Sequence, residues 1–495
     1  MKLSFNVWLI FLLIFSSVYA SETIDHDTFF DEVDAHIKTK IRDNDMTKGL
    51  TVALFTKDEV VWKKNYGQTT YRKAINDSTL FSIQSISKNF TALAILMAVQ
   101  DGLLNLDTPI IKYLPDFTVN SAYEQAPEKK MTLRHLLAHS AGFTHEAPCG
   151  NNFDYDCPGK QDHWQSIRNT WLKFPVDSAY SYSNLGYDLA AEIIEKVSQM
   201  PFETYLQEKV FKPLNMKYST VDDLEVAANE NRTEGYIASY VKTEHYKIPL
   251  IGSGSVYSNI EDMIQYGQFH LKFGKVGEKQ LLDRKHLYEM YNQAWGNYGL
   301  GTSSGKAVNE EKNIDTYYLN HNGGGFGYGS TMTWVPEYNI GVVAMGYGPA
   351  NYSQIVINEV LFEYIINFNI DKSDELTKGF TPIRNSRPGK RKNFGFISQE
   401  SNSGQRTDLQ NFVGQYEVVF KGKSYTLWTR IQKMFGFKKA KIKLNVKDGS
   451  LVMNGYFGEH ELTEFLPGLF FTEAGEAFDF RDKQPTYRNI KLRRI

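Results

Sequence analysis

Several things are scarce in this chain. Its 495 residues include only two cysteines, which permit at most one disulfide. As placed, at Cys149 and Cys157, they do not read as a metal site. Charge of one sign is also missing: 55 Lys+Arg against 57 Asp+Glu leave a formal net charge of -2. No chain-wide positive field exists to draw in nucleic acid or anionic lipid, so polyanion binding is a poor expectation. Beyond the first 20 residues no stretch is long and apolar enough to span a bilayer, and no repeat of fixed period runs through the sequence. Hydrophobic residues make up 42% and aromatics 14%, a composition that supports packed cores and excludes wholesale disorder. The length predicts two or three domains.

Punctuation along the chain divides it. Lys2 precedes an apolar stretch, Val7 to Phe15, and Val18-Tyr19-Ala20 presents small residues where a signal peptidase cuts, so 1–20 reads as a signal peptide. An uncleaved anchor is the alternative, but the apolar core is shorter than the roughly 20 residues a span needs. Export predicts a secreted protein or one in the lumen of the secretory or endolysosomal pathway, periplasmic or extracellular if the source is bacterial. A local Cys149–Cys157 disulfide fits such a compartment, two unpaired loop thiols being the alternative. Asn-x-Ser/Thr acceptors stand at Asn76, Asn89, Asn231 and Asn351. Asn89 falls inside a helix expected to be buried, which leaves Asn76, Asn231 and Asn351 as glycosylation candidates. Residues 21–370 alternate helical and strand patterns and read as one mixed domain, with a hairpin at Leu50 to Phe55 and Glu59 to Trp62. Ser82 to Gln100 is apolar nearly all round and predicts a buried helix stopped at Asp101-Gly102. Residues 371–408, rich in Lys, Arg, Ser, Asn and Gly, read as a linker, its run Arg387 to Lys392 as a solvated stretch. From 409 to 495 period-two patterning predominates. Lys441 to Lys447 running into Asp448-Gly449 predicts a hairpin, and the short strands that follow fit a small antiparallel barrel.

Three clusters could carry chemistry. Ser85 and Lys88, three apart at the start of the buried helix, share one face. A serine hydroxyl becomes a nucleophile when a nearby base takes its proton, and a buried lysine amine can do so. Spacing alone is weak, because Ser303-Ser304-Gly305-Lys306 repeats it in a stretch without helical pattern. Tyr182-Ser183-Asn184 opens another helical run. Its tyrosine hydroxyl could relay a proton, and its asparagine could orient the lysine and a substrate amide. His321-Asn322-Gly323-Gly324-Gly325 lies between strand-like runs, and its glycines would let a substrate lie against backbone N–H groups.

Taken in order, Ser-x-x-Lys, Tyr-x-Asn and His-x-Gly resemble the three active-site motifs of the serine β-lactamase and penicillin-binding-protein superfamily. The resemblance is to the class C-like branch, with its D-alanyl-D-alanine peptidases and esterases. Met131 to Gly142, Lys212 to Met216 and Gly252 to Ser258 resemble the family as well, so the likeness covers roughly residues 30 to 365. The C-terminal region resembles the lipocalin-like domain of some peptidases of this branch, on strand pattern and position. The resemblance implies an α/β (α+β) fold: an antiparallel sheet with flanking helices and a helical subdomain, followed by the barrel. It implies Ser85 as acylated nucleophile, Lys88 as general base, Tyr182 as proton shuttle and Asn184 as substrate-orienting group. The oxyanion hole would comprise the N–H groups of Ser85 and Gly324, beside Gly323.

At the third motif the β-lactamase pattern has Lys-Thr-Gly, where this chain has His321-Asn322-Gly323. A histidine with an ordinary pKa near 6.5 is mostly neutral at pH 7, so β-lactam carboxylates should bind more weakly. His321 could also assist deacylation, a hypothesis that a His321→Ala variant with wild-type turnover at every pH would sink. The expected activity is hydrolysis of a small peptide, amide or ester, D-amino-acid peptides included, without metal or organic cofactor. A catalytically silent scaffold and an acyltransferase or transpeptidase are the alternatives. The expected partner is the substrate, with no nucleic acid and no membrane span after signal cleavage; a homo-oligomer is left open, since the sequence does not give the oligomeric state. The barrel could cap the cleft, mediate oligomerisation or bind an apolar ligand.

Overall fold

The computed structural model describes residues 25–44, 47–152, 159–237, 241–242, 250–292, 294–310, 314–348, 357–368, 370, 372, 395–397, 407–419, 441–455 and 457–495. Residues 1–20, where a signal peptide is expected, lie outside them, as do Cys157, Asn351, the basic run 387–392 and most of the expected linker.

A six-stranded antiparallel sheet organises the first domain. Its strands are β1 (Gly49–Thr56), β2 (Val60–Gly67), β3 (Ser303–Asn309), β4 (Ile314–Gly325), β5 (Tyr328–Val335) and β6 (Ile340–Tyr347), in the order β3-β4-β5-β6-β1-β2. The strand at the chain's beginning therefore pairs with the one that closes the domain, Gly49 opposite Tyr347. The hairpin expected at residues 50–62 is β1 and β2. Strand β1 is buried from Gly49 to Phe55 because helices cover both faces of the sheet, so its alternating side chains are apolar except Thr51, whose hydroxyl donates to Asn65 Oδ1 at 2.6 Å. Leu50, Val52 and Leu54 pack with helix α1 (His26–Asn44) and with Val360, Leu361 and Tyr364. Ala53 and Phe55 point the other way, into a larger core shared with helices α2 (Ser87–Gln100), α4 (Asn184–Ser198) and α5 (Ile260–Leu271). Helix α3 (Lys160–Ile167) packs outside α4.

Helix α2 has no polar face: every residue from Ser87 to Ala98 is buried. Asn89 is among them, its amide donating to Gly301 O at 2.9 Å and Thr302 Oγ1 at 2.8 Å. Asn76 is exposed and Asn231 half-buried. The helix is shorter than its sequence pattern suggests, since Gln84–Ile86 form a separate 3₁₀ turn before it.

Eight strands close the C-terminal barrel: β7 (Gly414–Val418), β8 (Lys441–Lys447), β9 (Ser450–Gly455), β10 (His460–Leu466), β11 (Leu469–Thr472), β12 (Ala477–Asp479), β13 (Thr486–Tyr487) and β14 (Ile490–Arg494). The turn from β8 to β9 uses Asp448 and Gly449 at φ 52° and 81°, the left-handed pair that matches strand twist in a two-residue hairpin. Ile442, Leu444, Met453, Phe470, Phe478 and Leu492 fill the interior. The outer face of β10–β12 docks on the first domain, with Leu469 and Phe471 meeting Ala122. Part of the expected linker is built into this seam. Phe396 packs between Tyr123 (5.6 Å between ring centres) and Phe465 (5.1 Å), and Ile397 N–H donates to Ala122 O at 2.8 Å.

Candidate active site

Ser85 occupies the 3₁₀ turn that feeds α2, directly after Gln84 at φ 50°. A non-glycine residue in the left-handed region carries backbone strain. Here it makes a sharp corner between Phe81–Ser82, a short strand paired with Tyr257–Ser258, and the helix. Strand β4 closes against that corner. A methyl group on Gly323 would overlap Ile83 O and Ser330 Oγ, so only glycine lets the strand come so near the turn that carries Ser85. Gly324, next along, is exposed.

Lys88 follows Ser85 by three residues and is fully buried. Its ammonium nitrogen lies 3.3 Å from Ser85 Oγ, 2.7 Å from Asn184 Oδ1 and 2.9 Å from Ser253 O. Two of those partners are carbonyl oxygens that can only accept. Two N–H bonds are thereby committed, and the third tetrahedral position of Nζ points at Ser85. In the amine that position is a lone pair, and in the ammonium a hydrogen. Proton exchange between Ser85 and Lys88 therefore needs no rearrangement of the lysine.

Long-range contacts hold the Ser253 carbonyl in place. Asp188, one turn beyond Asn184 on α4, accepts from Gly252 N–H at 3.1 Å and Ser253 N–H at 3.0 Å. Ser87 Oγ accepts from Val256 N–H, and Thr91 Oγ1 donates to Gly252 O at 2.6 Å. The other oxygen of Asp188 meets His163 Nε2 at 3.0 Å, and His163 Nδ1 faces Cys149 O at 2.7 Å. With an acceptor on each ring nitrogen, the hydrogen bonds call for the imidazolium. The pKa of His163 is raised accordingly: the Asp188 carboxylate outweighs the burial that opposes it.

Tyr182 precedes Ser183, which caps α4 by accepting from Leu185 N–H. The Tyr182 ring lies under Lys88, its centre 4.8 Å from Nζ. Its face packs between His139 (4.4 Å between ring centres) and His145 (5.6 Å). His139 Nδ1 accepts from Ser183 N–H at 3.1 Å, so its proton sits on Nε2. Burial, reinforced by Lys88, pushes its pKa well down and keeps it neutral.

His321, on strand β4, is buried. Its Nδ1–H donates to Asn322 O at 2.8 Å, and its Nε2 accepts from Tyr298 O–H at 2.9 Å. Burial first, and then Lys88, depress its pKa to about 3. Both nitrogens are occupied, so this arrangement offers neither a cation for a substrate carboxylate nor a free base for water.

The structure thus brings Ser85, Lys88, Tyr182 and Asn184 together, and sets His321 and Gly323 on the strand that closes against the Ser85 turn. Ser303 and Lys306, the competing pair by spacing, lie on edge strand β3. Cys149 lies behind the site, bonded through its carbonyl to His163. Ser253, Asp188, His163, His139, His145 and Tyr298 escape the motif reading. Two of them, His139 and Ser253, lie in the stretches Met131 to Gly142 and Gly252 to Ser258, whose resemblance to the family assigned neither a role.

The profile of the family described as Beta-lactamase matches residues 34–351. Beta-lactamase-like protein 2 of Dictyostelium discoideum is 28% identical over 49% of this chain and 45% of its own length, and Beta-lactamase-like protein 4 is 25% identical over 67% and 62%. The chain thus spans about half to three fifths of those two relatives. D-alanyl-D-alanine-carboxypeptidase/endopeptidase AmpH of Escherichia coli K12 is 24% identical over 66% of this chain and 86% of its own. Among solved structures, the octameric penicillin-binding protein homologue from Pyrococcus abyssi superposes with a TM-score of 0.58 at 18% identity, covering 94% of this chain and 99% of that one. A class C β-lactamase gives 0.57 at 17% identity over 70% and 98%.

Proposed function

The chain belongs to the beta-lactamase family, and from that premise we propose that it is an exported serine hydrolase that cleaves small peptides, amides or esters through a Ser85 acyl-enzyme. The observation that carries the reading is the hold on Lys88 by two acceptors, Asn184 Oδ1 and Ser253 O, which leaves one position of its nitrogen for the Ser85 proton. In this scheme Ser85 Oγ attacks the substrate carbonyl while Lys88 Nζ takes its proton, a general-base step worth about 10²–10⁴ in rate. The N–H groups of Ser85 and Gly324 receive the oxyanion. Asn184, whose Oδ1 is spent on Lys88, offers its Nδ2 to the substrate. Tyr182 and Lys88 return the proton to the leaving group, and water releases the acyl product. A neutral, fully bonded His321 favours substrates that need no cation at that point, such as esters and peptides, over carboxylate-anchored β-lactams.

Intact-mass analysis and peptide mapping test this directly, on the mature protein and on Ser85→Ala, after exposure to a penicillin and to an activated ester. An adduct on Ser85 that the variant lacks is the expected result. No adduct with either reagent, in folded protein, would refute it in favour of a scaffold. Added amine acceptors distinguish transfer from hydrolysis by the product formed. The same masses report cleavage after Ala20, glycans at Asn76, Asn231 and Asn351, and whether Cys149 and Cys157 resist alkylation before reduction.

A further inference from the structure

The segment from Thr144 to Ala147 lies between the Tyr182-Ser183-Asn184 motif and the C-terminal barrel. On the motif side, Ser183 Oγ donates to Thr144 O at 2.7 Å, and Asn184 N–H donates to His145 O at 3.3 Å. The His145 ring stacks on Tyr182 with 23° between the planes, and its Nδ1 is held by the buried Glu146 carboxylate at 2.8 Å. On the far side the contacts come from residues more than 300 positions later. Asn489 Nδ2 donates to Glu146 O at 2.7 Å and to Thr170 Oγ1 at 2.6 Å. Glu476 accepts from Thr144 Oγ1 at 2.6 Å, and its other oxygen pairs with Lys173 Nζ at 2.6 Å. Glu476 and Lys173 are both nearly fully buried, so neither finds water in place of the other. Gly475 lies so close against the Lys173 carbonyl that no side chain would fit.

The backbone carbonyls of Thr144 and His145 thus serve the Tyr-Ser-Asn motif, while the Glu146 carbonyl and the Thr144 hydroxyl serve the barrel. We propose that the C-terminal barrel is a working part of the active site: Glu476 and Asn489 are positioning residues that hold 144–147 so that Tyr182 and Asn184 meet Lys88. The seam between the domains then transmits order to the proton-transfer side of the site, while the nucleophile corner at Ser85 is built entirely within the first domain. This inference rests on the serine-hydrolase reading above, because its readout is Ser85 acylation.

The test is single-turnover acylation of the full chain by an activated ester over a range of concentrations, with thermal melting of each variant. Asn489→Gly removes the donor without straining a residue at φ 65°, and Glu476→Gln keeps the shape but breaks the ion pair. Each is expected to lower the saturating acylation rate at least tenfold and to leave the half-saturating concentration within twofold. Phe396→Ala loosens the part of the seam where Phe396 meets Tyr123, Phe465 and Phe471, contacts that do not involve Glu476, Asn489 or 144–147. It is expected to lower the melting temperature and leave acylation within twofold, a split that mere loss of stability would not produce. Thr144→Val removes only the hydroxyl that faces Glu476 and should show the same rate effect at smaller amplitude. It decides the matter if a barrel variant fails to fold. Wild-type rates in the folded seam variants, beside a wild-type Ser85 adduct, overturn this inference alone. Absence of the wild-type adduct overturns the hydrolase reading instead.

Discussion

Replacing Gly323 by alanine probes the nucleophile corner with the smallest available perturbation. The added methyl would overlap Ile83 O by roughly an ångström relative to an ordinary carbon–oxygen contact, with Ser330 Oγ crowding it from the other side. Ile83 O cannot simply retreat, because it accepts from Ser330 Oγ at 2.7 Å and from Ile86 N–H at 3.2 Å. The second of those bonds closes the 3₁₀ turn that presents Ser85. Relief must come from separating β4 from that turn. A displacement near 1 Å at a reacting group costs about 10²-fold in rate, and overpacking of this kind costs about 1–3 kcal/mol of stability. The expected outcome is a folded protein that melts several degrees lower and acylates about 10²-fold more slowly. Stopped-flow kinetics with a chromogenic ester measures the rate, and mass mapping confirms Ser85 as the site. Acylation within threefold of wild type would refute the argument. So would full recovery in Gly323→Ala/Ser330→Ala, since that variant leaves the Ile83 overlap in place.

Two further outcomes follow from the same geometry. Lys88→Met keeps the length of the side chain and removes the base, so acylation should fall about 10²–10⁴-fold. It also strips the donors from Asn184 Oδ1 and Ser253 O, at about 1–3 kcal/mol for each buried acceptor left unpaired; an unchanged acylation rate would remove Lys88 from the mechanism. Stability should decline as pH falls from 6.5. Burial depresses the pKa of His270 and of His321 to about 3, so below pH 6.5 the unfolded chain binds protons that the folded chain refuses. Each contributes stability that is complete above pH 6.5 and is lost toward pH 3, about 1.4 kcal/mol per histidine by pH 5.5. His163 acts in the opposite sense: its stabilisation is complete below pH 6.5 and is lost as pH rises through its elevated folded value. It therefore does not offset the acid limb. Urea midpoints that stay flat between pH 7.5 and 5 would contradict the neutral assignment of these rings.

Legibility in the sequence followed the range of the interactions. Ser85 and Lys88 could be paired from spacing because a helix start fixes side chains three apart by local geometry, and the apolar run of α2 required Lys88 to be buried. The barrel hairpin at Asp448-Gly449 was equally local. The 3₁₀ turn before α2 was not visible, because Ile83 and Gln84 continue the helical pattern, and only strand β4 pressing on Ile83 reveals the corner. The role of His321 was half legible. Its residue type set neutrality as the default, but the Tyr298 hydroxyl that occupies Nε2 comes from a loop whose sequence, Trp295 to Leu300, carries no motif. The supports of the proton-transfer side were beyond spacing altogether. Ser253 O is aimed at Lys88 by Asp188, which is backed by His163, and Thr144 and Glu146 are held by Glu476 and Asn489 from a different domain. No periodicity relates residues that meet only after two domains have folded and docked. Motif residues can be found by pattern because their mutual geometry is local. Their working positions are set by partners that pattern cannot reach, which is why Ser85 and Lys88 could be paired from one stretch of chain and the groups that hold Lys88, Tyr182 and Asn184 in place could not.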